Sequence, residues 1–205
     1  MSLFAPRSSN GRAESGATAA EFALVLPLLL LFLFGIIDTG RMMWTWNQAE
    51  KATQMGARMA VVTDMVPGGL STKNFGADLG QGQAIPISSF GAASCHKPTT
   101  ALQCDCTGTC PTLTPYNDTS FNAIVARMQF LLPGLKSSNV WVDYANSGLG
   151  YAGDPNGPDV SPLVTVRIVG MSFQPITGML FRASIPMPQF RASLTLEDGS
   201  GSVSN

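Results

Sequence analysis

Two residues near the N-terminus, Gly16 and Glu21, have types and spacing that allow a specific chemistry. Glu21 precedes an apolar run that extends from Phe22 to Ile37 with no other charge. An ionisable residue beside a membrane segment is costly and indicates function. Cleavage after Gly16 would create a free α-amine on Ala17, one helical turn before the Glu21 carboxylate, and a buried carboxylate is tolerated when it pairs with such a cation. The spacing therefore favours a processing site at Gly16 and Ala17 and a pairing role for Glu21.

The cysteines form the second group with recognisable chemistry, and they are Cys95, Cys104, Cys106 and Cys110. A bridge between Cys104 and Cys106 would be strained because one residue separates them. Two pairings remain open: Cys95–Cys104 with Cys106–Cys110, or Cys95–Cys106 with Cys104–Cys110. A zinc site that also uses His96 is disfavoured, since adjacent Cys95-His96 and a C-x-C do not match the usual ligand spacings. The sequence predicts two disulfides and no metal site.

Composition excludes several classes of function. The net charge of −1 gives no electrostatic basis for binding nucleic acid, and charged residues make up only 12% of the chain. The single histidine, His96, lies among the cysteines, and no Ser/His/Asp set is visible. We therefore expect a protein that is not an enzyme and that carries no cofactor.

The apolar run also determines the expected localisation. Phe22–Ile37 spans about 24 Å as a helix, and adding Ala17–Ala20 makes a segment long enough to cross a bilayer if Glu21 lies near one interface. A cleaved signal peptide is the rival interpretation, but the run is too long and no A-x-A site follows it. The cysteines lie far beyond the run and suit an oxidising compartment. We expect a single-pass membrane protein whose N-terminus is in the cytoplasm and whose C-terminal domain lies on the other side of the membrane.

Hydrophobic periodicity predicts a helix from Ala17 to about Val66 and a second helix over 119–132. Three strands are expected, at 140–144, 163–169 and 189–196. The stretch 68–115 is expected to be rich in loops. The predicted fold class is α+β, with the long helix as a spine packed on a small antiparallel sheet. The predicted divisions are a disordered cytoplasmic leader (1–16), the membrane stem with its amphipathic helix (17–66), a periplasmic domain (67–197) and a frayed tail (198–205).

Gly16-Ala17-Thr18-Ala19-Ala20-Glu21-Phe22 resembles a type IV prepilin-like cleavage site. Glycine precedes the cut, glutamate is the fifth mature residue and an aromatic, Phe22, is the sixth. With its apolar continuation, the chain over about residues 16–62 resembles the TadE-like family of pseudopilins, which belong to the tight-adherence (Tad or Flp) pilus machinery. The resemblance implies a pilin-like α+β fold and cleavage by a prepilin peptidase after Gly16. It also implies retention in the inner membrane as a single-pass protein with a periplasmic C-terminal domain, and a role in pilus assembly. The leader departs from the pattern because no basic residue stands immediately before the cut.

The function expected from this resemblance is priming or capping of a Tad/Flp fibre through helix and domain contacts. The expected partners are the prepilin peptidase, other pilin or pseudopilin subunits, the Tad assembly machinery and the inner membrane. Entry of the protein into the extracellular pilus is left open. The alternative is an uncleaved single-pass envelope protein whose disulfide-rich periplasmic domain binds a surface ligand. The N-terminal residue of the native protein distinguishes the two.

Overall fold

The computed structural model describes residues 11–155 and 158–196. The predicted tail at 198–205 and the first ten residues of the leader lie outside the described residues. The helices are α1 (Gly11–Val62), α2 (Gly68–Ser71), α3 (Gly76–Leu79), α4 (Asp118–Leu131) and α5 (Ile176–Phe181), with a 3₁₀ turn at Ser137–Asn139. The strands are β1 (Ala92–His96), β2 (Gln103–Thr107), β3 (Val140–Ala145), β4 (Leu163–Ile168), β5 (Ser172–Phe173), β6 (Ile185–Pro186) and β7 (Phe190–Thr195).

The chain divides into two compact units. The first contains the chain as far as Met43 together with Gln174–Ile185, and the second contains Trp44–Phe173 and the chain from Pro186 onward. Helix α1 supplies residues to both units. Its apolar portion belongs to the first unit, and its portion from Trp44 to Val62 belongs to the second.

Helix α1 is longer at its start and shorter at its end than the sequence predicts. It begins at Gly11, so residues 11–16 are helical and the prediction that they are disordered is wrong. It continues through Pro27 and ends at Val62 rather than near Val66. Beyond the helix, the Val66 N–H donates to the Tyr144 hydroxyl at 3.1 Å, so a tertiary hydrogen bond replaces the helical one.

An antiparallel sheet with the strand order β2-β1-β3-β4-β7 forms the second unit's framework. The predicted strands at 140–144, 163–169 and 189–196 are confirmed as β3, β4 and β7, each within a residue or two of its expected ends. The stretch 68–115 is rich in loops, as predicted, but it also contains the short helices α2 and α3 and the strands β1 and β2, which the sequence did not predict. These strands carry three of the cysteines, so the disulfide region is part of the sheet.

The core lies between one face of this sheet and two helices, the Trp44–Val62 portion of α1 and the amphipathic α4. The side chains at alternate positions of the central strands are buried: Val140, Val142, Tyr144, Val164, Val166 and Ile168. Small residues let the helix approach closely. A Cβ on Gly56 would lie 2.7 Å from the Met128 sulfur of α4 and 3.1 Å from Val166 Cγ1. The predicted α+β fold, with a long N-terminal helix packed on an antiparallel sheet, is confirmed.

Helix α4 follows the sequence pattern closely. Asn117 caps it, because its side-chain oxygen accepts a hydrogen bond from the Ser120 N–H at 3.0 Å. The predicted apolar face is buried: Phe121, Ile124, Val125, Met128 and Leu132.

A buried carboxylate organises the loops of the second unit. Asp159 is 4% exposed and accepts backbone N–H groups from Phe75 at 2.5 Å, Gly153 at 2.9 Å and Asp154 at 3.0 Å. Three N–H donors satisfy a carboxylate that would otherwise be costly to bury.

Candidate assembly surface

The predicted processing and pairing residues lie on α1 in the first unit. Gly16 and Glu21 are exposed, and beyond its own stretch of helix backbone no atom comes within 4 Å of a Cβ built on Gly16. Ala17 and Glu21 are four residues apart in a continuous helix, so they occupy neighbouring turns of one face. Phe22 is 65% exposed. The helix therefore brings the predicted cut and the carboxylate to one side of an open surface.

The apolar run that follows is exposed around the whole circumference of the helix. The exposed fraction is 78% for Leu24, 73% for Leu28 and 69% for Phe32, and Val25 and Leu29, on other sides of the helix, also exceed 50%. By length and composition the helix could cross a membrane, and its most apolar stretch has no buried residues. A helix that is hydrophobic on every side requires an apolar environment, which a membrane or neighbouring helices would provide. One long apolar N-terminal helix is consistent with a single-pass membrane protein.

Asp38, the first residue after the apolar run, holds a distant part of the chain. Its carboxylate accepts the Ile176 N–H at 2.7 Å, the Thr177 N–H at 2.9 Å and the Thr177 hydroxyl at 2.8 Å. Arg41 Nη1 donates to the same carboxylate at 3.1 Å. Asp38 thereby caps the start of α5 and is itself buried. Sequence reasoning missed this contact because the partners are 138 and 139 residues away along the chain.

The cysteines pair in the first of the two ways left open by the sequence. Cys95 bonds to Cys104, its direct partner across β1 and β2, and Cys106 bonds to Cys110. Cys95 is fully buried on the core side of the sheet. The disulfides therefore join the outer strand β2 to β1 and close the turn that follows.

The other face of the sheet carries a layered stack of side chains from neighbouring strands. The His96 and Trp141 rings lie 3.8 Å apart between centroids and are parallel within 4°. The Arg167 guanidinium lies 4.6 Å from the Trp141 ring centroid and donates to Asp143 through Nε at 2.5 Å and Nη2 at 3.1 Å. Ser94 donates to Asp143 as well.

This stack is a closed structural feature rather than an open binding platform. Both faces of the Trp141 ring are covered, and the Arg167 charge is neutralised by the Asp143 carboxylate. Sequence reasoning considered His96 only as a metal ligand and missed the stack. The period-2 pattern places Trp141 and Asp143 on one face, but the cross-strand register that brings Arg167 beside them is not visible in the sequence.

A groove of about 490 Å³ runs beside the edge strand β7 of the second unit. Trp46 lies at one wall, where its ring meets Phe190 edge-on with centroids 5.2 Å apart and its Nε1–H donates to Glu50 at 2.7 Å. Polar side chains of α1 and the segment 188–192 line the rest. Because β7 pairs on one side only, this region combines an unpaired strand edge with an exposed aromatic residue.

Within residues 11–155 and 158–196, no cluster of three or more His, Cys, Asp or Glu side chains has the geometry to hold a metal ion.

Residues 16–58 match the family model described as TadE-like protein. Comparison with curated proteins and with solved structures finds no match. The matched segment contains the predicted processing site, the apolar run and most of the α1 portion that packs in the second unit. This segment is therefore similar to a family that takes part in Tad pilus biogenesis, is associated with the Tad pilus machinery and is non-enzymatic.

Proposed function

We propose that this TadE-like chain is a pseudopilin that a prepilin peptidase cleaves after Gly16 and that then primes or caps a Tad/Flp pilus through helix and domain contacts. The observation that carries the proposal is the placement of Glu21. It is exposed on the same continuous helix as Gly16 and Ala17, directly before an apolar run that is itself exposed on every side.

The energetics support a pairing role for Glu21. A charged side chain deep in the bilayer costs roughly 2.5–3.5 kcal/mol on insertion scales, which disfavours an unpaired carboxylate beside the apolar run. Cleavage supplies a cation at Ala17, in the same chain or in a neighbour packed against it. Buried polar groups are best attested as devices that fix register between helices. The pair would therefore determine how far one helix is shifted along the next when subunits assemble.

The rest of the molecule fits a membrane-anchored subunit with its domain on the oxidising side. The disulfides favour a periplasmic location for the second unit, which leaves the N-terminus in the cytoplasm. The groove beside β7, with Trp46 at its wall, is the surface that we assign to contacts with other pilin or pseudopilin subunits.

The N-terminal residue of the protein from its native host tests the processing step. We expect intact mass and N-terminal sequencing to give a chain that starts at Ala17. A mature protein that starts at Met1 would contradict the proposal and favour an uncleaved envelope protein whose disulfide-bearing domain binds a surface ligand.

The Glu21→Gln variant tests the pairing role, because it keeps the side-chain shape and removes the charge. We expect normal membrane insertion with loss of piliation. The matched control is Glu14→Gln, which alters a carboxylate in the segment that cleavage removes and should leave piliation normal. Normal piliation in Glu21→Gln would rule out the role assigned to this carboxylate.

A further inference from the structure

The segment 174–185, called the α5 loop below, belongs to the same compact unit as the apolar portion of α1. The segments before and after it belong to the second unit. The α5 loop contains the short helix Ile176–Phe181, which ends at Arg182 in the left-handed conformation with φ of 52°. These twelve residues therefore pack with the apolar portion of α1 and not with the sheet of the second unit.

The attachment point fixes where along the stem the α5 loop lies. Asp38 directly follows Ile37, the last residue of the apolar run. The Asp38 carboxylate binds the Ile176 and Thr177 N–H groups within 3 Å. If the apolar run fills the hydrocarbon core, the first turn of α5 lies at the level where the stem leaves it.

The composition of the α5 loop suits that level. Its apolar residues are Pro175, Ile176, Met179, Leu180, Phe181 and Ile185, and Arg182 is its one charged residue. Ile176 is 39% exposed and Ile185 is 43% exposed, although both are large aliphatic residues, and Arg182 is exposed as well. Two exposed isoleucines together with an exposed basic residue are typical of chains that lie in the interfacial layer of a membrane.

We infer that the α5 loop is a second membrane contact, inserted in the headgroup and acyl boundary of the outer leaflet beside the stem. The Ile176 and Ile185 side chains would lie among the upper acyl chains, and Arg182 would bind lipid phosphate. Asp38 acts as a clamp, because its bonds to the Ile176 and Thr177 N–H groups hold the α5 loop at the end of the apolar run and so determine how deep the loop lies in the membrane. This inference rests on the membrane span in the proposed function. A lipid surface is favoured over a protein partner because the clamp residue directly follows the span.

Depth-dependent quenching in lipid vesicles tests the inference on the full chain. Single cysteines at Ile185, at Leu29 within the apolar run and at Ile87 in the second unit would each carry an environment-sensitive fluorophore. Ile87 is a matched control because it is an isoleucine that is 74% exposed. The vesicles contain phosphatidylcholine and phosphatidylglycerol brominated in the acyl chains. We expect quenching at positions 29 and 185 and none at position 87.

The outcomes separate the inference from the span on which it rests. Quenching at position 29 without quenching at 185 would overturn the inference and leave the span intact. Absence of quenching at position 29 would overturn the span and the inference together. Equal quenching at 87 and 185 would show general adsorption to lipid and would also overturn the inference. Burial of position 185 in cells that contain the Tad machinery, without quenching in vesicles, would assign the α5 loop to a protein partner instead.

The clamp is tested by Asp38→Ala in the background labelled at position 185. We expect loss of quenching at 185 and unchanged quenching at 29, because the loop would be released while the span remains. Arg41→Ala is the matched control, since it leaves the bonds from Ile176 and Thr177 to Asp38 in place and should retain quenching. Full quenching at 185 in Asp38→Ala would contradict the role of Asp38.

Discussion

The hydroxyl of Tyr144 offers a sharp test of how the end of α1 is joined to the sheet. Tyr144 is fully buried, and its oxygen accepts the N–H of Val66, which is also fully buried. Tyr144→Phe removes that acceptor and little volume. Leaving a buried N–H without its partner costs about 1–3 kcal/mol, so we expect the free energy of unfolding to fall by that amount.

The same residue predicts a pH dependence with a definite sign. Burial raises the pKa of the Tyr144 hydroxyl above its ordinary value of 10.0, and the Val66 N–H opposes this shift only in part. Above pH 10 the unfolded chain loses this proton while the folded chain keeps it. The contribution of the neutral Tyr144 hydroxyl to the free energy of unfolding is therefore complete below pH 10. Above pH 10 this contribution decreases by up to about 1.4 kcal/mol per pH unit. Phenylalanine has no such proton. The difference in the free energy of unfolding between wild type and Tyr144→Phe should therefore become smaller at alkaline pH.

Urea titration of the full chain in detergent, followed by tryptophan fluorescence, measures both effects. The titrations are run near pH 7 and about half a unit above the ordinary tyrosine pKa. Tyr151→Phe is the control, because Tyr151 is 63% exposed and its hydroxyl should contribute little to stability. Equal free energies of unfolding for wild type and Tyr144→Phe near pH 7 would refute the stabilising role of this hydrogen bond. A difference between the two that stays constant with pH would refute the predicted pH dependence.

Two further variants test other contacts by the same titration. Gly56→Val should destabilise the protein by about 1–3 kcal/mol through overpacking against Met128. Gly40→Val should show only the small change in helix propensity, because beyond its own stretch of helix backbone no atom lies within 4 Å of a Cβ at that position. Asn117→Ala should lower the free energy of unfolding by about 0.5–2 kcal/mol, because it removes the N-terminal cap of α4. Asn122→Ala, on the exposed side of the same helix, should lower it far less. Equal effects within either pair would contradict the assigned contact.

The elements that the sequence predicts well are those whose own residues carry the pattern. Helix α4 has a capping asparagine, a periodic apolar face and a Pro133-Gly134 stop, and its observed bounds differ from the predicted ones by one residue. Strands β3 and β4 are rich in β-branched and aromatic residues, which by themselves predict strands. Local propensity and tertiary structure agree in these segments.

Strands β1 and β2 could not be predicted in the same way. Their sequences, Ala92-Ala93-Ser94-Cys95-His96 and Gln103-Cys104-Asp105-Cys106-Thr107, contain a single β-branched residue between them. They are strands because β1 pairs with β3 and the Cys95–Cys104 bridge ties β2 to β1. The end of α1 is similar, since the Tyr144 hydroxyl and not a local signal takes the Val66 N–H. Structure that depends on pairing with distant residues leaves little trace in local sequence.

The carboxylates of this chain show why Glu21 remains the residue to test. Asp38 and Asp159 are buried and each accepts at least two backbone N–H groups, while Asp143 is held by Arg167 and Ser94. Their hydrogen-bonding capacity is used to position loops and strands. Glu21 differs because it is exposed beside an apolar run. A carboxylate in that position can bind a cation that appears after folding, and cleavage after Gly16 would supply one at Ala17.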